Sequence, residues 1–86
     1  MSHSSTDREK FRRLIRSRVT RATQICVRQG AKTAIGGPSL NLIVASELMK
    51  LGSAFAIKMG ADEDGVARLA RGCFPEAVSL ARASSL

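Results

Sequence analysis

From Leu40 to Met59 apolar residues occupy two sides of a helical projection rather than one. At 100° per residue, Leu40, Val44, Leu48, Leu51 and Phe55 fall together on a bulky side. Ala45, Met49, Gly52, Ala56 and Gly60 fall opposite, and all but Met49 are small. Ser46, Lys50 and Ser53 leave only a narrow polar strip between them. A helix of this kind is expected to be buried on both sides. The bulky side should pack on the chain's own other helices. The small side should admit a close-packed partner, the same helix of a second subunit. Gly36-Gly37-Pro38 and Gly60 bound the segment. Gly52, Ala56 and Gly60 repeat the small-xxx-small spacing of membrane helices, and the length suffices to span a bilayer. Glu47, Lys50 and Lys58 inside the window argue for a water-soluble core helix instead.

The flanking patterns are also helical. Thr6-Asp7-Arg8-Glu9 matches a capping box, so a first helix should start at Thr6 and run to about Gln29, with Gly30 as C′. Phe11, Leu14, Ile15, Ala22, Ile25 and Cys26 share one face of it, and Arg12, Arg13, Arg16 and Arg28 lie broadly opposite. Arg18 falls within the apolar face, with Arg21 at its edge. Arg18 is expected to snorkel to water at a subunit boundary, with an ion pair to Glu47 as the competing arrangement. Residues 30–38 read as a Gly/Pro linker. Its Gly30-Ala31-Lys32-Thr33 lacks the spacing of a phosphate loop and follows no strand. Pro38 near N1, or Ser39 as N-cap, should open the central helix. Asp62-Glu63-Asp64 begins a short third helix, with an Asp64–Arg68 pair and Gly72 as its stop. Phe74-Pro75-Glu76 begins a fourth, with Pro75 at N1. Met1–Ser5 and Ser84–Leu86 should fray. The expectation is therefore an all-α chain: one small domain of four helices over residues 1–86, assembling as a homodimer.

Charge changes this picture more than composition does. The net charge is +7. Residues 7–32 carry nine cations against Asp7 and Glu9, whereas residues 33–86 carry five cations against five acids. The whole excess thus lies on the first helix and its exit, which points to an anionic partner: nucleic acid, an acidic protein face or a lipid surface. With 86 residues and no Trp or Tyr, the chain has modest means to build a core, which favours association. Cys26 and Cys73 are too few for a disulfide scaffold, and His3 alone does not complete a zinc set. Free thiols and the lack of an apolar run after the N-terminal charges fit a cytoplasmic protein.

Candidate chemistry is sparse. No nucleophile and base stand together in the sequence, and the 62–64 acids lack the remaining ligands of a calcium loop, so neither an enzyme nor a cofactor is expected. A helix-turn-helix reading of residues 62–83 is weak, because its second helix offers only Arg82 to bases. The first helix is the better candidate. Arg8, Arg12 and Arg16 recur every four residues, flanked by Arg13, Arg28 and Lys32. Guanidinium groups in a row favour bidentate contacts with phosphate. The expectation is a small dimeric regulator that binds DNA through phosphates with Arg8, Arg12, Arg13, Arg16, Arg28 and Lys32. It would dimerise through Ala45, Met49, Gly52 and Ala56. The alternative is an adaptor, anti-activator or chaperone-like dimer whose basic face docks an acidic protein. Attachment to anionic lipid is a third, weaker possibility.

Overall fold

The structure is a computed structural model that describes the backbone of residues 3–83 and the side chains of residues 6–83. All regular structure in it is helical: α1 (His3–Gly30), α2 (Gly37–Lys58) and α3 (Glu63–Ala83). The chain divides into two compact units, Met1–Val44 and Ala45–Leu86, with the division falling inside α2.

In the first unit, α1 begins earlier than the capping pattern predicts. Thr6 lies inside the helix, and Glu9 turns forward to Arg12 and Arg13 rather than back to an N-cap. The backbone is helical from His3, inside the segment expected to fray; residues 1–2 and 84–86 lie outside the described part. Gly30 is the last residue of α1 and not a left-handed C′, because among the described residues the only positive φ is at Gly60. The helix unwinds through a tight turn instead. Lys32 N–H donates to Gln29 O at 3.2 Å and Thr33 N–H to Gly30 O at 2.9 Å. The Thr33 hydroxyl donates to the same carbonyl at 2.6 Å and accepts from Ile35 N–H at 3.2 Å. Gly30 is required for a different reason. Leu40 lies against it so closely that a Cβ at position 30 would overlap the Leu40 side chain. Leu40 is the one buried residue among those described.

Gly36 acts as the N-cap of α2, its carbonyl accepting from Leu40 N–H at 2.9 Å. Pro38 falls in the first turn, where its missing N–H costs nothing, and Ser39 is already helical. At its far end α2 closes with a Schellman motif. Gly60 N–H donates to Ile57 O at 2.9 Å, and Ala61 N–H reaches back to Ala56 O at 3.1 Å. Gly60 takes the left-handed conformation this needs, with φ 104°. Ala56 and Ala61, the two side chains the motif brings together, are both partly buried.

Asp62 caps α3. Its carboxylate accepts from Gly65 N–H at 2.8 Å and its carbonyl from Val66 N–H at 2.9 Å. Glu63 and Asp64 then sit in the first turn, where the helix dipole favours them. Beyond this start the expectation of two short helices is wrong. Gly72 does not stop α3, and Pro75 lies inside one continuous helix of 21 residues. Among the described residues there are three helices, not four, and no turn interrupts Glu63–Ala83 to make a helix-turn-helix of residues 62–83. The stripe of Val66, Leu69, Cys73, Ala77 and Leu80 passes through Gly72 and Pro75 without a phase break. A continuous amphipathic face outweighs two local breakers. The expected Asp64–Arg68 ion pair is absent among the described residues.

The largest correction concerns burial. α2 was expected to be enclosed from two directions, yet Leu40 is its one buried residue. Leu48, Leu51 and Phe55 of the bulky side are 41%, 67% and 69% exposed. On α1 the apolar face is open too, with Phe11 61% exposed. Besides Glu9, the partly buried positions described there are Arg16, Thr20, Thr23, Gln24, Val27 and Gly30, the last of them against Leu40. Within this chain the apolar faces lack the cover that their sequence implies. α2 is long and apolar enough to cross a membrane by length and composition, and only 6% of that window is buried. Its two central charges neutralise each other, Lys50 Nζ lying 2.8 Å from Glu47 Oε2.

Candidate polyanion-binding helix

α1 owes its charge to what is missing from it. After Glu9 the next acidic residue is Glu47. Between them stand Lys10, Arg12, Arg13, Arg16, Arg18, Arg21, Arg28 and Lys32, with no acidic residue inside the run. Nothing in the helix N-terminal to Arg16 matches this, because Asp7 and Glu9 dilute the first turns.

The arginine row divides accordingly. Arg12 Nη1 lies 3.7 Å from Glu9 Oε1, and Arg13 Nε lies 3.8 Å from Glu9 Oε2. Both guanidiniums remain well exposed and both contacts are long. Surface pairs of this kind contribute little and yield readily to a stronger anion. Arg8 is exposed one turn before Arg12. Arg16 is partly buried, Arg28 is exposed on the last turn, and Lys32 is exposed in the exit turn.

Arg16 and Arg28 share one side of the helix with four residues that the sequence does not single out as contacts: Ser17, Thr20, Arg21 and Gln24. A shallow groove of about 580 Å³ is lined by Arg16, Ser17, Thr20, Arg21, Gln24, Ile25 and Arg28. Three guanidiniums, two hydroxyls and an amide thus converge on one strip. The helical projection sets Arg21 at the edge of the apolar face and gives no role to Ser17, Thr20 or Gln24. The signal that would have found them is the run without acids, together with their shared angle opposite Phe11. Arg16 to Arg28 spans ~18 Å of helix at 1.5 Å per residue. That matches roughly five phosphates of one DNA strand at 3.4 Å of axis each.

Arg18 is exposed, as the snorkelling reading expects, and Glu47 is held by Lys50 on its own helix. Ala45, Met49 and Gly52 of the proposed pairing face are exposed and Ala56 is partly buried. A Cβ at Gly52 would meet nothing within 4 Å. No group of three or more His, Cys, Asp or Glu residues able to hold a metal occurs among the described residues. No family model, curated protein or solved structure matches the chain.

Proposed function

We propose that the chain is a small basic regulator that binds DNA mainly through phosphate contacts from α1, as a homodimer paired through Ala45, Met49, Gly52 and Ala56. The observation that carries the first part is the unbroken cationic run from Lys10 to Lys32 with Arg16, Arg21 and Arg28 on one groove. Helix-borne guanidiniums at this spacing fit a phosphate backbone. Arg8, Arg12, Arg13 and Lys32 extend the contact at either end. With no Tyr or Trp, and Phe11 on another face, single-strand stacking adds little, so duplex is the fitting form.

The test is anisotropy of a labelled duplex at several salt concentrations. Affinity should fall steeply with salt, and Arg21→Ala or Arg28→Ala should each reduce the slope of log K against log salt by about 1. No binding at low salt removes the reading. A second reading keeps the cations but changes the target. Phe11, Leu14 and Ile15 are exposed alongside the arginines, a mixture that suits an acidic, amphipathic protein partner. The chain would then act as an adaptor, anti-activator or chaperone. Capture of a protein that survives nuclease treatment, with no affinity for duplex, selects this second reading.

A further inference from the structure

The apolar surface of α2 and α3 is too large to leave unaccounted for. The chain exposes 7486 Å², against about 4,900 Å² expected for a self-sufficient folded chain of its mass. The difference, roughly 2,600 Å² per chain and so about 5,200 Å² for a pair, is summed over all three helices and lies at the upper end of what obligate dimers bury in total. Among the described residues of the second unit none is buried. Its large apolar side chains include Met49, Leu51, Phe55, Met59, Leu69 and Phe74, all more than half exposed.

We propose that two copies close a shared four-helix core, each giving the Ala45–Lys58 part of α2 and the whole of α3. This rests on the homodimer reading above and specifies its architecture. Charge selects the occupant. From residue 45 to 83 the chain carries Lys50, Lys58, Arg68, Arg71 and Arg82 against Glu47, Asp62, Glu63, Asp64 and Glu76. A second copy therefore meets an electrically balanced surface, while two α1 helices would repel each other. A bilayer is the poorer cover, since Glu47, Lys50 and Lys58 would enter it with α2. Two-helix units with one apolar side commonly pair in this way.

The small side of α2 fixes the direction. Met49 is its one bulky residue between Ala45 and Ala56, and Gly52 lies three residues on. About a midpoint between Lys50 and Leu51, antiparallel helices set each Met49 over the opposing Gly52 and each Ala45 beside the opposing Ala56. A parallel pairing would stack Met49 on itself and leave the gap at Gly52 unfilled.

The experiment uses the full chain in reductant without nucleic acid, by sedimentation equilibrium and by far-ultraviolet circular dichroism across a hundredfold concentration range. The expected result is a species of twice 9.2 kDa, with an unfolding midpoint that rises with concentration. Gly52→Met should raise the dimer dissociation constant at least tenfold, although it improves helix propensity. Adding Met49→Gly to it should restore most of the loss. A 9.2 kDa species that keeps its helices with a concentration-independent midpoint overturns the proposal, as does assembly that appears only with anionic vesicles. Failure of the double exchange to rescue overturns the antiparallel arrangement. A dimer that ignores duplex DNA removes the DNA reading alone; a monomer that binds DNA removes this proposal and the homodimer it rests on but leaves the DNA reading standing.

Discussion

Two glycines illustrate how a single missing Cβ serves opposite purposes. Gly60 supplies a backbone conformation: with φ 104° it ends α2, and any side chain there is strained. Gly60→Ala should lower stability by about 1 kcal/mol, read from the shift in denaturant midpoint at constant protein concentration. Gly30 has ordinary helical geometry and supplies space, because Leu40 occupies the volume its side chain would need. Gly30→Val should cost about 1–2 kcal/mol by forcing Leu40 off α1, and Leu40→Ala should diminish that penalty. Non-additivity in this double-mutant cycle is the measurement; independent effects would mean the contact is absent. The sequence shows both glycines beside helix ends. Only coordinates separate them, since a C′ glycine and a clearance glycine look alike in one dimension.

At the scale of elements, the three helices were legible wherever apolar spacing was strong and misread wherever a local rule was allowed to overrule it. The boundaries of α2 follow from Gly36-Gly37-Pro38 and Gly60, and Asp62 caps α3 as helix-start acids suggest. The capping box at Thr6 and the stop at Gly72 failed, because each is a short-range preference of about 1 kcal/mol set against a long periodic face. Pro75 decides the matter experimentally. Inside a continuous helix it forfeits the bond to Arg71 O and crowds that turn, whereas at a helix N1 it is favourable. Pro75→Ala should therefore raise both helix content and stability, the latter by about 1–3 kcal/mol. Loss of stability on this substitution would restore the two-helix description of residues 62–83.

For the whole molecule, the sequence revealed where charge resides but not where apolar surface ends up. The segregation of charge, +7 before residue 33 and zero after it, is a matter of counting. The open state of Phe11, Leu51 and Phe55 is not, because helical spacing says that a face is apolar without saying whose atoms cover it. The candidate site was half visible for the same reason. Arg12, Arg13, Arg16 and Arg28 stand out as residues, while Ser17, Thr20, Arg21 and Gln24 acquire meaning only as lining of a common groove.

The gap between Glu9 and Glu47 also dictates how a protease would divide the chain. A glutamate-specific enzyme has no site between those two positions and would excise nearly all of the cationic segment as one peptide. Trypsin would instead nick α1 at almost every turn, since each arginine there is a potential cleavage point. Any ligand lying along α1 would then leave its footprint as a ladder of protected bonds, read in register with the helix.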